Sequence, residues 1–253
     1  MDPTMNDSWA ALILAAGSGS RIDSLTDAPK SLLPIGNETL LDRHVRIWKS
    51  AGITKAVVVV GYKAELIIAA LEPYQQDLEI RFVTNDDYER LGNTYSLFVG
   101  LQQIDRNLAV FDADLVYDDQ ILIDFLADEN RDQILVGEGV LEDEECAKAL
   151  LDKDGMVRMT IDKRHVTTDE LSRFRFGGEA VGILKFSCET ALKLKEKASR
   201  FLAHEANRGL NWEHLMNEFL AEHPMAAHKI DAGRWIEINT PHDYQRAKQM
   251  FEG

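Results

Sequence analysis

Apolar runs broken by glycine, proline and charged loops set the rhythm of the chain. Residues 9–16 are continuously apolar and end in a glycine loop, which suits a strand buried on both faces of a sheet. Residues 39–51 carry apolar side chains near helical spacing and stop at Gly52, a helix with a glycine terminator. Residues 56–60 read as a second buried strand, 63–71 as a helix closed by Pro73, and 78–83 as an alternating strand. A helix over 94–104 and a strand over 107–111 complete the first half. The order β-α-β-α-β-α-β predicts an α/β fold, a doubly wound, mostly parallel, Rossmann-like sheet with right-handed crossovers. Ligands of such sheets sit beyond the carboxyl ends of the strands, so the loops after Ala16 and Phe111 are the expected site.

The second half is less regular. It predicts a helix over 119–127, a strand over 133–140, a helical or irregular stretch over 143–151, and strands over 155–161 and 180–186. Helices over 190–205 and 212–222, a strand over 226–230, a strand over 234–238 and a helix from Pro241 follow. No Pro/Gly/Ser linker, repeat or low-complexity tract divides the chain, so residues 1–253 are expected to form a single domain.

Composition narrows the partners. The net charge is −15 over 253 residues, which repels nucleic acid and anionic membranes but leaves room for small phosphates at a local cluster of cations. Cys146 and Cys188 are too far apart in the chain for a metal motif and imply reduced thiols. Residues 1–8 hold no basic segment ahead of the first apolar run, and that run is too short to span a bilayer. A cytoplasmic protein is expected, with neither nucleic acid nor membrane as partner.

The loop after the first strand carries the clearest chemistry. Leu14-Ala15-Ala16-Gly17-Ser18-Gly19-Ser20-Arg21 is followed by Thr26, Pro29 and Lys30. Gly17 and Gly19 are expected to take positive φ and let the backbone approach a ligand, with N–H groups cradling phosphate oxygens. Arg21 offers a planar fork of donors and Lys30 a point charge. Ile22 stands where a dinucleotide fingerprint needs its third glycine, and no Gly-Lys-Ser/Thr closes a P-loop. The stretch 14–41, with Thr26, Pro29, Lys30, Leu33, Gly36 and Leu41 in place, resembles the signature of nucleotidyltransferases that activate sugar phosphates and small head groups. The resemblance implies that residues 15–19 hold the base and phosphates of an NTP. It also implies that Arg21 grips the β- and γ-phosphates, and that Lys30 lies between the α-phosphate and the acceptor phosphate.

Two acidic segments suit a hard metal ion. Asp112 and Asp114 follow a buried strand, and Glu237 and Asn239 alternate onto one face of a late strand. Thr240, Pro241 and Asp243 read as a helix cap instead. By resemblance, Mg²⁺ on the NTP is held by Asp114, with Asp112 as helper, and by Glu237. Asn239 takes the place of a second acid there and is a neutral candidate ligand.

The stretch Asn93-Thr94-Tyr95-Ser96-Leu97 resembles the phosphocholine and 2-aminoethylphosphonate cytidylyltransferases, and Asn93 also suits a helix N-cap. The residues around Glu179, Asn211-Trp212-Glu213-His214 and Trp235 resemble the same group. Asn85, Asn93 and Ser96 are therefore nucleotide-site candidates, and Tyr95, Glu179, Trp212 and Trp235 acceptor-site candidates. The implied activity is Mg²⁺-dependent transfer of CMP from CTP, or a nucleotide from another NTP, to a small phosphorylated or phosphonate acceptor. A sugar-1-phosphate or inositol-1-phosphate nucleotidyltransferase and a non-catalytic nucleotide-binding module are the alternatives.

Overall fold

The computed structural model describes residues 8–22 and 24–252, so most of the segment 1–8 lies outside the described residues. Its strands are β1 (Trp9–Ala15), β2 (Pro34–Ile35), β3 (Glu38–Thr39), β4 (Lys55–Val60), β5 (Glu79–Thr84), β6 (Asn107–Asp112) and β7 (Leu115–Tyr117). The later ones are β8 (Gln133–Gly137), β9 (Lys148–Leu151), β10 (Met156–Ile161), β11 (Arg175–Phe186), β12 (Met225–Lys229) and β13 (Trp235–Glu237). The helices are α1 (Leu40–Ser50), α2 (Ala64–Leu71), α3 (Asn93–Leu101), α4 (Asp119–Ala127), α5 (Thr168–Arg173), α6 (Cys188–Ala203), α7 (Trp212–Glu222) and α8 (Pro241–Phe251).

Nine strands form one sheet in the order β5-β4-β1-β6-β11-β8-β12-β10-β9. The α/β expectation holds. The mostly parallel one does not: β5, β4, β1 and β6 run parallel, whereas β11 is antiparallel to β6, β8 and β9. β11 pairs with both β8 and β9, so β11, β8, β12, β10 and β9 close into a five-stranded ring. The misreading has a physical cause. Burial on both faces produces an apolar run whatever the direction of the neighbouring strand.

Alternation along the strands divides the core. Leu12, Leu14, Val57 and Val59 pack on one face with Leu97, Leu101, Leu194, Leu215 and Phe219 of α3, α6 and α7. Ile13, Val58 and Phe111 pack on the other with Leu41, Val45, Trp48, Leu122 and Phe125 of α1 and α4. A small third cluster joins Ile22, Leu33, Ile35, Val116, Ile236, Ile238 and Ala247. It ties the loop after β1 to β7, β13 and α8.

Several local expectations shift. Residues 143–147 are turns and irregular backbone, and 148–151 are strand, which resolves the helical-or-irregular alternative. Helix α5, with a Thr167–Glu170 capping box, had no counterpart in the sequence reading. Gly92, not Asn93, occupies the N-cap of α3. The cap expected at the last helix is present: Thr240 and Asp243 form a capping box, with Pro241 in the first turn.

Candidate active site

The parallel register sets the site. Leu14 of β1 lies beside Asp112 of β6, so the glycine loop and the acidic pair leave the sheet side by side. β13 then pairs antiparallel with β7, placing Glu237 opposite Leu115, and Ile238 N–H donates to the Asp114 carbonyl at 3.0 Å. Two segments more than a hundred residues apart thus deliver their carboxylates to one place.

A cleft of about 260 Å³ opens there. Of the expected residues, Leu14, Ala15, Gly17, Gly19, Arg21, Lys30, Asn93, Asp112, Asp114, Trp212, Glu237 and Asn239 line it. Gly19 takes the expected positive φ of 68°, and a Cβ there would sit 3.1 Å from Lys30 Cβ. Gly17 has no positive φ; a Cβ there would meet nothing within 4 Å, so its backbone faces open space. Gly182 backs the floor with φ 83°, where a Cβ would fall 2.6 Å from Asp112 Oδ2.

Cations and acids face one another across the cleft. Lys30 Nζ lies 2.7 Å from Asp114 Oδ2 and 3.4 Å from Asn239 Oδ1. Arg21 donates to Asn239 Oδ1 at 2.8 Å and to Glu145 Oε2 at 3.5 Å, with its side chain half exposed. The amide oxygen of Asn239 is thereby occupied by two cations. Asp114 Oδ1 is buried and has no hydrogen-bond partner. Asp112 is raised well above the usual carboxylate range, by burial first and then by Asp114, Glu213 and Glu237. Glu237 is raised by burial and then by Asp114. Clustered carboxylates with an unpartnered oxygen call for a cation, and a lysine ammonium stands at one of them. Among the described residues no three acidic, His or Cys side chains are gathered as a ready metal site; Asp114 and Glu237 supply the one or two carboxylates that Mg²⁺ takes beside phosphate and water.

The other candidates are dispersed. Asn85 and Ser96 are buried, bond to each other at 3.0 Å and do not line the cleft, and Asn85 Oδ1 accepts from Asp87 N. Ala16 and Ser18 also lie outside the lining, although the Ala16 carbonyl accepts from Tyr62 N at 3.0 Å. Asn93 accepts from Trp212 N at 2.7 Å, tying α3 to α7. Tyr95 lies tilted against Phe98, ring centroids 6.3 Å apart, in an outer groove. Glu179 and Trp235 line a second cleft of about 390 Å³, which shares Arg21, Glu237 and Asn239 with the first. Glu179 is pushed up to about 7 by burial, and its neighbour Cys146 up to about 12, which makes an unreactive thiol.

Three charged residues of the cleft wall escaped the list of site candidates. Asp162 and Lys163 follow the end of β10, and Glu213 opens α7. Lys163 adopts a left-handed φ of 37°, rare for a non-glycine residue, and its ammonium lies 3.8 Å from Glu237 Oε1. Their signal was positional: both Asp162 and Lys163 stand at a strand end on the cleft side of the sheet.

A cleft with a glycine loop, two cations and clustered carboxylates beyond the strands of an α/β sheet is suited to phosphate groups. Residues 11–155, more than half of the chain, match the MobA-like NTP transferase domain, and the chain belongs to this family. Among curated relatives, the choline-phosphate cytidylyltransferase of Streptococcus pneumoniae is 34% identical over 105 residues, 41% of this chain and 44% of that protein. The bifunctional IPC transferase and DIPP synthase of Rubrobacter xylanophilus is 26% identical over 99% of this chain and 53% of that protein. These matches span about half the length of the curated relatives. The structure of CTP:phosphocholine cytidylyltransferase from Streptococcus pneumoniae superposes with a TM-score of 0.77 at 22% identity, covering 96% of this chain and 99% of that one. Among the described residues no helix is long and apolar enough to cross a membrane.

Proposed function

We propose that the chain is a Mg²⁺-dependent cytidylyltransferase. It transfers CMP from CTP to a small phosphorylated or phosphonate head group, phosphocholine or 2-aminoethylphosphonate, and releases pyrophosphate. The observation that carries this reading is the cleft itself, where Arg21 and Lys30 face Asp114 and Glu237 beside the glycine loop. CTP and the amine-bearing acceptor are supported by the choline-phosphate relative and by the sequence stretch around Asn93. Two free thiols and a CTP-consuming reaction suit the cytoplasm.

An acceptor phosphate or phosphonate oxygen attacks the α-phosphorus in line. The new P–O bond forms as the α–β bridging bond breaks, and pyrophosphate leaves with the electron pair. The attacking oxygen is already anionic near neutral pH, so no strong general base is needed. Catalysis is positioning and charge neutralisation. Lys30 balances charge at the α-phosphate, Arg21 at the departing phosphates, and the backbone at Gly17 leaves room for the nucleotide. Asp114 and Glu237 would hold the Mg²⁺, with Asp112 behind them, and the ion would add positive charge to the NTP phosphates.

The alternative acceptor is inositol-1-phosphate or a sugar-1-phosphate, supported by a mannose-1-phosphate guanyltransferase relative and by the fold likeness to the inositol-1-phosphate CTP transferase from T. maritima. The deciding experiment follows pyrophosphate release with Mg²⁺, crossing CTP, UTP, ATP and GTP against phosphocholine, 2-aminoethylphosphonate, inositol-1-phosphate and glucose-1-phosphate. Turnover with CTP and an amine-bearing acceptor, abolished by Asp114→Ala in a folded protein, is the expected result. Turnover only with inositol or sugar phosphates moves the chain to the alternative branch. Silence throughout favours a non-catalytic nucleotide-binding module.

A further inference from the structure

Glu213 is 7% exposed in the wall of the main cleft, yet its Oε2 is buried and has no hydrogen-bond partner. A carboxylate in that state is costly unless a partner arrives. Its own backbone N–H bears on the carboxyl group but leaves Oε2 without a partner. The charges of Asp162 and Glu237 bear on Glu213, and that of Glu213 bears in turn on Asp112. Lys163 is the opposing cation, and its ammonium is directed to Glu237. Asp162 Oδ2 accepts from Asn211 Nδ2 at 3.0 Å and lies 3.6 Å from His214 Nε2, while Asp112 Oδ2 accepts weakly from Trp212 Nε1 at 3.3 Å. These three carboxylates all line the cleft and mark its inner end, and one of them has a buried, unpartnered oxygen.

We propose that this inner end is a subsite for a primary ammonium group on the acceptor, with Glu213 as its principal hydrogen-bond acceptor and Asp162 and Asp112 completing the negative wall. The inference rests on the nucleotidyltransferase reading and narrows it. A primary ammonium brings three N–H donors as well as a charge, and the wall offers carboxylate oxygens to receive them. A quaternary ammonium has no donor and is held by aromatic faces. Trp212 is the single aromatic residue of the described cleft lining, and at 2% exposure it presents no open face. A neutral hydroxyl would satisfy the hydrogen bond but, unlike an ammonium, would bring no counter-charge with which Glu213, held protonated by burial, could ionise. The site therefore selects primary amine over both quaternary amine and alcohol.

The test holds the phosphate constant and changes only the tip of the acceptor. Ethanolamine phosphate, its mono-, di- and trimethyl derivatives (the last is phosphocholine) and 2-hydroxyethyl phosphate are compared as acceptors with CTP and Mg²⁺. The expected result is a fall in kcat/KM with each methyl group, at least tenfold in all, and a similar loss for the hydroxyl analogue. Glu213→Gln should reduce the preference for ethanolamine phosphate over 2-hydroxyethyl phosphate about tenfold, a ratio that general damage to the fold would not move. Equal or better turnover with phosphocholine, 2-hydroxyethyl phosphate or inositol-1-phosphate overturns the subsite while leaving the enzyme class standing. Calorimetry separates the remaining failures. CTP binding without binding of ethanolamine phosphate removes the subsite alone, whereas absence of both CTP binding and turnover removes the underlying reading and the subsite with it.

Discussion

Lys30 is held where it can act in two ways. Its ammonium touches Asp114 at 2.7 Å and the Asn239 amide at 3.4 Å, so it is immobilised in the cleft before any phosphate arrives. A pre-placed donor needs little reorganisation when charge develops, and removing one such donor typically costs 10²–10³ in rate. Lys30→Ala should therefore lower kcat/KM for pyrophosphate release by about 10²–10³ with little change in Tm. A loss under about threefold would remove Lys30 from the chemistry. Residues of this kind were legible in the sequence because the motif is local: Arg21 and Lys30 belong to the loop that follows β1, Asp112 and Asp114 to the end of β6, and all reach the cleft. Asn85 and Ser96 have the same polar side chains, but a sequence cannot reveal that they would satisfy each other in the interior. Asp162 and Lys163 enter the cleft through the path of the second half of the chain, where only their place at a strand end marks them, and Glu213 stands in the stretch 211–214 without a role its spacing assigns.

Elements fix those residues by how they end. Thr240 accepts from Asp243 N–H at the start of α8, and Asp243 Oδ2 accepts from the backbone of both Thr240 and Asn239. The same cap that begins the helix therefore anchors Asn239, two residues beyond Glu237. Loss of a Thr N-cap costs about 1 kcal/mol. For a chain of this size that corresponds to a fall in Tm of about 2–4 °C, and Thr240→Ala should show it by differential scanning calorimetry. An unchanged Tm would mean that the cluster around Ile238 and Ala247 holds the helix without its cap. At this scale the first half of the chain was legible and the second was not. βα alternation places β1, β4, β5 and β6 without ambiguity. β11 reads as a short strand from residue 180 but begins at Arg175, because Gly177 and Gly178 let it bend from β9 onto β8. Glycine inside a strand is the signal of such a bend or bulge, and Gly178, with φ 135°, is its position here.

Across the whole molecule, the sheet gathers negative charge at one end and stability must register it. The net charge is −15, and several of the carboxylates responsible are buried together at the carboxyl ends of the strands. Glu213 is raised from 4.5 to about 8 and Glu179 from 4.5 to about 7, in both cases by burial above all, and Asp112 and Glu237 move in the same direction. A carboxyl with a raised folded pKa keeps its proton in the native state while the unfolded chain has already released it. Its contribution is complete below about pH 4.5 and is lost as pH rises through 7 to 8. Lys185 has the opposite effect at higher pH. Buried against Trp9 and Phe125, it is lowered from 10.5 to about 8, so the unfolded chain binds the extra proton and stability recovers between about pH 8 and 10.5. Buried His44, lowered from 6.5 to about 3, stabilises with rising pH up to about 6.5, so the unliganded protein should lose Tm from pH 6.5 towards 8 and regain part of it up to about pH 9, where the raised Cys146 thiol begins to oppose Lys185. Glu213→Gln should flatten the descending limb, because the amide has no charge to desolvate, while leaving the recovery above pH 8 unchanged. A Tm that rises steadily from pH 6.5 to 8, or an unaltered slope in Glu213→Gln, would show that the cleft carboxylates are already ionised and balanced in the folded state. That outcome would also weaken the case for an unmet charge at the inner end of the cleft, because the same buried oxygen underlies both expectations.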